Sequence, residues 1–156
     1  MTSVGEKEKQ TQKRMIGLFR RLDYDYLGNW EEREDNHNVE DSLLRKFLVK
    51  QGYSPDLINR AIFEFQKKAG DQSRSLYDVN RDVYDILRYG LKTKTEVGTN
   101  TETVWLIDWK HPENNDFAVA EEVTITGKDL HTHEKRPDLV IYVNGIAIAV
   151  IELKRS

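Results

Sequence analysis

Three charged residues near the end of the chain lie at the far ends of two strongly apolar segments. Asp138 begins the first segment, and Glu152 and Lys154 close the second. Between the segments lies Asn144-Gly145, a residue pair typical of a tight β-hairpin turn. A hairpin would bring the three charges together at one end of a sheet, and desolvating charges there costs several kcal/mol each. We therefore expect them to serve chemistry, and two carboxylates with an ammonium suit metal-dependent cleavage of phosphate esters.

The length of the turn decides whether the two carboxylates share a face of the sheet. With a two-residue turn, the default for Asn-Gly, Asp138 lies opposite Ile151 and Glu152 points to the other face. A three-residue loop moves Val150 opposite Asp138, and both carboxylates and Lys154 then share one face. If the site is catalytic, the sequence predicts the three-residue loop or another bulge in the ladder.

In the catalytic interpretation, each group has a distinct role. Asp138 and Glu152 would bind Mg²⁺, which prefers carboxylate oxygens, and the backbone carbonyl of Leu153 would be a further ligand. Lys154 would orient the attacking water and offset developing negative charge. A strand-end salt bridge is the alternative, because ion-pair networks also cluster charges.

The spacing of apolar residues predicts the elements that position these groups. Residues 1–95 read as helical, with helices over 9–22, 38–52, 54–70 and 75–88. Residues 96–156 read as a sheet, with strands over 103–109 and 117–126 followed by the hairpin. We expect one α/β domain over 1–156 with an α+β-like order: N-terminal helices, then a mixed, largely antiparallel sheet on which helices pack. Both arms of the hairpin are apolar on both faces, which is typical of strands covered on both sides.

The composition limits the possible functions. The chain has 156 residues, 24 basic and 27 acidic, for a net charge of -3, so overall charge gives no support to nucleic-acid binding. There are no cysteines, which excludes disulfides and thiolate zinc sites. The N-terminus lacks the apolar core of a signal peptide, and no apolar run approaches the ~20 residues of a membrane span. We expect a cytoplasmic protein without a membrane segment.

The spacing of the charged residues matches a known nuclease pattern. Pro137-Asp138, thirteen intervening residues and Glu152-Leu153-Lys154 resemble the PD-(D/E)xK nuclease motif. A second match to half of the motif, Asp108-Trp109-Lys110, has no partner aspartate on a preceding paired strand. The flanking sequence narrows the family, because it resembles the N-terminal nuclease domain of the restriction (R) subunit of type I restriction–modification enzymes over residues 115–119, 136–140, 143–145 and 150–154.

This resemblance implies a restriction-endonuclease-like core and a Mg²⁺-dependent, site-specific endonuclease acting on double-stranded DNA. It also implies an ATP-driven DNA translocase in the full-length protein, and assembly with modification and specificity subunits. The family continues beyond Lys154, whereas this sequence stops two residues later and contains no ATP phosphate-binding loop. We therefore expect an N-terminal fragment with a truncated core, weak or inactive alone.

Two other functions fit the same residues. One is a different PD-(D/E)xK nuclease, such as a RecB-like exonuclease or a repair nuclease, and the other is a docking domain whose motif is structural. Further residues are secondary candidates. Glu40 and His37, at the second helix, are possible additional site residues, and Trp105 and Trp109 are expected in the core. Possible contacts to DNA phosphates are Lys135, Arg136 and Arg155, and either Glu121 or Glu122 could line the cleft.

Overall fold

The computed structural model describes residues 4–125 and 135–153. Four helices occur in these residues: α1 (Val4–Arg21), α2 (Asp41–Lys50), α3 (Pro55–Ala69) and α4 (Leu76–Tyr89). The strands are β1 (Asp25–Asn29), β2 (Leu91–Thr93), β3 (Glu102–Val104), β4 (Phe117–Glu121), β5 (Leu139–Val143) and β6 (Ile146–Ile151), with a short 3₁₀ turn at Pro112–Asn114. The predicted α/β class is confirmed. No described helix is both long and apolar enough to cross a bilayer.

The chain divides into two compact units. The first takes its residues from Met1–Glu40 and Asp116–Ser156, and the second is Asp41–Asn115. The sequence predicts one domain with a helical part and a sheet part that meet near residue 95, where helices give way to strands. The structure instead groups residues by contact, so that α1 belongs with the large sheet.

A mixed four-stranded sheet forms the first unit, in the order β1-β4-β5-β6. The β1–β4 pair is parallel, and the other pairs are antiparallel, as the sequence predicts for most of the sheet. One face packs on α1, where Ile16 meets Val119, Leu139 and Ile141. On the other face, Trp30 packs with Tyr142 and with the small residues of β4.

Strand β1 is missing from the sequence-based prediction. Its residues include an aspartate, an asparagine and Gly28, none of which favours strands, so only pairing with β4 makes this segment extended. An aromatic residue just before it packs between α1 and β4. Tyr24 lies 5.0 Å from Phe19 and 5.4 Å from Phe117 between ring centroids.

Strand β6 differs from the prediction that both hairpin arms are covered. Strand β5 is buried along almost its whole length, whereas Ile148 is 47% and Val150 61% exposed. The reason is the position of β6 at the edge of the sheet among the described residues. In the described part of the chain, its outer side is paired only at its start, where Ile146 bridges to Val39 and Ala147 N donates to the carbonyl of Asn38.

Helices α2, α3 and α4 and the small β2–β3 sheet form the second unit. The predicted starts of α3 and α4 are confirmed by their caps, since the side chains of Ser54 and Ser75 accept backbone N–H groups at 3.4 and 3.1 Å. Gly90 follows α4 with a φ of 82° and is the single residue between α4 and β2. The sequence does not predict β2.

The predicted start of the second helix at Asn38 is wrong. Helix α2 begins at Asp41, because the preceding residues pair with the hairpin. The backbone N of Glu40 donates to the carbonyl of Gly145 at 2.7 Å, and Ala147 N donates to the carbonyl of Asn38 at 2.8 Å. Residues engaged in such a ladder cannot make the local hydrogen bonds of a helix.

Candidate active site

The hairpin turn has two residues. Val143 pairs with Ile146, and Asn144 and Gly145 have φ angles of 51° and 80°. Positive φ at both central positions defines a type I′ turn. The three-residue loop expected for a catalytic site is therefore not formed.

A bulge in the ladder is present instead, as the second form of the prediction requires. Tyr142 pairs with Ala147, but Ile141 pairs with Ala149, so that Ile148 is the extra residue on β6. Beyond the bulge, Leu139 pairs with Ile151. Continued by one residue, this register sets Asp138 opposite Glu152 on one face of the sheet.

Asp138 is held in place by backbone groups of both neighbouring strand ends. Its Oδ2 atom accepts the N–H of Leu153 at 2.5 Å, and its carbonyl accepts the N–H of Glu122 at 3.0 Å. The residue is half-buried, while Glu152 is exposed. The arrangement fixes one carboxylate at the end of β6 and leaves the other accessible to solvent.

Two predicted site residues, Lys154 and Arg155, lie outside the described residues, so their roles stay predictions. The neighbouring Leu153 is partly buried, and its backbone N–H faces Asp138. That the backbone carbonyl of Leu153 binds the metal also stays a prediction.

Two further glutamates lie at the end of β4, beside the start of β5. The side-chain amide of Gln12, on α1, donates to Glu121 at 2.9 Å and to Glu122 at 3.1 Å. The Tyr26 hydroxyl donates to Glu121 at 2.5 Å. Burial and, secondly, this hydrogen bond raise the pKa of Tyr26 to about 12, so the phenol stays protonated at neutral pH.

Gln12 is a partner of these two glutamates that sequence reasoning missed. It is only 6% exposed and lies four residues before Ile16, in line with the apolar stripe of α1. A polar residue at a stripe position was the available signal, because buried polar side chains require partners.

Arg136 is engaged by protein carboxylates. Its Nε atom lies 3.0 Å from Glu122, and its Nη1 atom pairs with Glu31. A DNA phosphate would have to compete with both, which weakens the predicted contact. Lys135 is exposed, and its backbone bridges to Ile125, so its predicted contact stays a prediction.

Glu40 and His37 do not lie at the charged end of the hairpin. Glu40 is bound to the turn through Gly145, and five residues of β5 at roughly 3.3 Å each separate that end from Asp138, or about 16 Å. Its carboxylate pairs with Arg33 through two contacts of 2.9 and 2.8 Å. His37 is exposed in the same segment. Helix α2 begins after Glu40, which removes the helical approach on which this expectation rested.

The second motif candidate, at Asp108, has a structural explanation. Its carboxylate accepts the backbone N–H groups of Lys110 and His111 at 3.1 and 2.9 Å, and the side-chain amide of Asn114 at 3.0 Å. These hydrogen bonds lower the pKa of Asp108, and the one from Asn114 has the largest effect. Asp108 therefore organises a loop.

The donor set at Asp138 and Glu152 suits a hard cation. Carboxylate oxygens are the ligands that Mg²⁺ prefers, and among the described residues Oδ1 of Asp138 has no hydrogen-bond partner. Residues 4–125 and 135–153 contain no group of three His, Cys, Asp or Glu side chains placed to hold a metal. The described part of the chain thus offers two side-chain ligands, which is compatible with a Mg²⁺ that keeps several waters.

Comparison with known proteins identifies the family. The family model for the type I restriction enzyme R protein N terminus matches residues 5–156, and the chain belongs to this family. A candidate type I restriction enzyme endonuclease subunit of Methanocaldococcus jannaschii, MjaIXP, is 25% identical over 147 residues. That match covers 89% of this chain and 14% of the relative.

A second relative from the same organism, the candidate MjaVIIIP endonuclease subunit, is 32% identical over 78 residues, which is 48% of this chain and 7% of that protein. The chain thus spans a small part of the length of both relatives. No solved structure matches it.

Proposed function

We propose that this chain is the nuclease domain of a type I restriction enzyme R subunit and cleaves double-stranded DNA endonucleolytically with Mg²⁺. In the full-length protein, cleavage would be coupled to ATP-dependent translocation, in a cytoplasmic complex with modification and specificity subunits. The observation that carries the proposal is the bulge at Ile148, which sets Asp138 opposite Glu152 despite a two-residue turn.

Burial and hydrogen bonding give the two carboxylates different tasks. Asp138 is fixed by the N–H of Leu153, so it presents its second oxygen in a constant position. Glu152 is exposed and can meet both a cation and solvent. A bound Mg²⁺ would polarise the scissile phosphate and lower the pKa of an attacking water. Lys154, which follows directly in sequence, would orient that water and neutralise developing charge.

The decisive experiment is plasmid cleavage by the full-length protein in its complete complex, with Mg²⁺ and ATP, comparing wild type with Asp138→Ala. We expect cleavage to fall at least about 100-fold, because a lost metal ligand removes several kcal/mol of transition-state stabilisation. ATP hydrolysis, measured in parallel, should be unchanged.

Glu102→Gln supplies the control, since Glu102 is an exposed strand residue of the second unit. It should cut as wild type does. Cleavage retained by Asp138→Ala while ATP hydrolysis continues would refute the assignment and favour a docking domain. A strong preference for free DNA ends over closed circles would instead favour an exonuclease or repair nuclease.

A further inference from the structure

The second unit contains a cavity of about 360 Å³ that the nuclease site does not use. Aromatic side chains dominate its walls, with Trp105, Trp109 and Tyr53 exposed to it, while Arg88 and Lys110 lie at its border. Its volume falls within the range of roughly 300–1,000 Å³ that is usual for small-molecule pockets. The cavity therefore has room for a planar ligand the size of a nucleobase.

Trp105 and Trp109 do not lie in the core, contrary to the sequence-based expectation. They are 41% and 48% exposed. Their polar atoms are nevertheless anchored, since the indole N–H of Trp109 donates to the carbonyl of Leu87 at 2.7 Å, and the backbone N of Trp105 donates to the Tyr53 hydroxyl at 2.9 Å. Large apolar rings that are anchored yet exposed are a feature of ligand sites.

The loop that carries these rings is fixed before any ligand arrives. The side chain of Asn115 accepts from the backbone N of Asp108 at 2.8 Å and donates to its carbonyl at 2.9 Å. The Asp108 carboxylate closes the following turn over Lys110 and His111. A preformed site binds with a smaller entropic cost than a flexible one.

The charge at the border is positive. Arg88 is exposed with its guanidinium carbon 5.3 Å from the Trp109 ring centroid, and Lys110 is exposed as well. Within the described parts of the chain, neither side chain forms an ion pair. The one carboxylate at the cavity, Asp108, is occupied by three N–H groups. The cavity thus combines ring faces with cations, and its complement is a flat ring that bears negative charge.

We propose that this cavity binds one nucleotide unit of a single DNA strand, with the base against Trp105 and Trp109 and the phosphate against Arg88 and Lys110. Bases stack on aromatic side chains with little dependence on sequence, and neighbouring cations follow the backbone. Duplex DNA hides the base faces and would be excluded. The choice of DNA rests on the proposed function, and the site would hold a strand that the enzyme has separated or cut.

Binding of a fluorescein-labelled oligothymidylate to the 156-residue chain, followed by anisotropy at low salt in EDTA, tests this proposal. Wild type should bind the single strand, and Trp109→Ala should weaken binding about tenfold or more. Tyr77→Ala is the matched control, because Tyr77 is an exposed aromatic with an arginine 5.9 Å from its ring centroid, outside the cavity. It should bind as wild type does.

Charge is tested with a second pair of variants, Arg88→Gln and Arg81→Gln, where Arg81 is the arginine beside Tyr77 and serves as the control. Only Arg88→Gln should weaken binding and flatten its salt dependence. This pair decides the question if Trp109→Ala does not fold by circular dichroism. Equal weakening by Trp109→Ala and Tyr77→Ala, equal affinity for duplex and single strand, or absence of binding would each overturn the proposal.

Competition by thymidine monophosphate identifies the source of the ligand. If thymidine monophosphate competes as strongly per nucleotide as the oligonucleotide does, the cavity is a nucleotide site. If affinity rises with the length of the oligonucleotide, it is a strand site. Both results support recognition of a base together with a phosphate. The residues that line the cavity are separate from those of the proposed nuclease site, and binding is measured without metal. Failure of the nuclease assignment would therefore leave this binding intact, so the two proposals can fail separately.

Discussion

Asn144 connects the hairpin turn to the start of β4. It is fully buried, its backbone N donates to the carbonyl of Asp116 at 2.8 Å, and its Oδ1 atom accepts the N–H of Asp116 at 2.7 Å. It also adopts a φ of 51°, which asparagine tolerates better than most residues. One side chain thus fixes both the turn type and the strand beside it.

Replacing Asn144 with alanine should destabilise the first unit by about 2 kcal/mol. The change leaves the partly buried N–H of Asp116 without this acceptor and keeps a β-carbon at positive φ without the side-chain hydrogen bond that offsets it. Urea unfolding followed through Trp30 would measure the loss, in a background where Trp105 and Trp109 are phenylalanine. Trp30 reports on this unit because it packs on Tyr142, 5.5 Å away between ring centroids.

Asn144→Gly and Asn144→Asp separate the two contributions. Glycine keeps the backbone conformation and loses the acceptor, whereas aspartate keeps an acceptor oxygen, so both should cost less than alanine. Equal stability of all three variants and wild type would show that this residue does not hold the turn.

At the scale of the hairpin, the number of residues between the turn and Glu152 decides on which face of the sheet the Glu152 side chain lies. A shift of one residue in an antiparallel ladder moves a side chain to the opposite face. The bulge absorbs one residue at Ile148, which keeps Asp138 and Glu152 opposite each other. A regular hairpin that lacked this residue would have the same pairing.

Deletion of Ile148 should consequently be tolerated. The residue is 47% exposed and is left out of the ladder, so its removal straightens β6 without changing the pairs on either side. We expect plasmid cleavage by the complete enzyme within about tenfold of wild type. Deletion of Ile148 and Ala149 together should abolish cleavage, because Glu152 would move out of register with Asp138.

ATP hydrolysis and thermal unfolding of both deletion variants would show whether they fold. Loss of cleavage in a folded single deletion would mean that the bulge itself, and not the register it restores, is needed for activity.

For the molecule as a whole, two compact units predict two folding units. The second, Asp41–Asn115, is one uninterrupted segment with its own core, and many domains of about 55–65 residues fold alone. Its fully buried residues include Leu44, Phe47, Leu48 and Phe65. Expressed alone, this segment should be helical and unfold cooperatively.

Two phenylalanines of α3 test whether that core is native. Phe65 is fully buried, whereas Phe63 is 58% exposed. In the isolated segment, Phe65→Ala should lower the free energy of unfolding by about 3–5 kcal/mol, while Phe63→Ala should change it by less than about 0.5 kcal/mol. Thermal or urea denaturation measures both, and similar losses would show that the segment alone does not form this core.

The sequence predicts those parts of the fold that local chemistry determines. Apolar spacing and serine caps located α3 and α4 nearly to the residue. Strand β1 and the start of α2 were missed because they depend on pairing with β4 and with the hairpin, which are distant in sequence. Burial of β6 was overestimated, since composition cannot show which strand lies at an edge.

The same distinction holds for the candidate site. The motif predicted Asp138 and Glu152 and the need for a bulge, because face and register follow from counting residues. It could not give the position of the bulge, nor show that pairing holds Glu40, a possible additional site residue, at the turn. Side-chain partners that come from another element, such as Gln12 beside Glu121 and Glu122, leave only a weak signal in the sequence.

The edge of β6 has a consequence for handling the protein. Beyond Ala147, the outer side of this strand carries backbone groups without a strand partner among the described residues, beside the exposed side chains of Ile148 and Val150. An open apolar edge is a template onto which any extended chain can add as another strand. Such an edge favours strand addition between copies of this chain as their concentration rises, and a segment that covered it would also keep the protein dispersed.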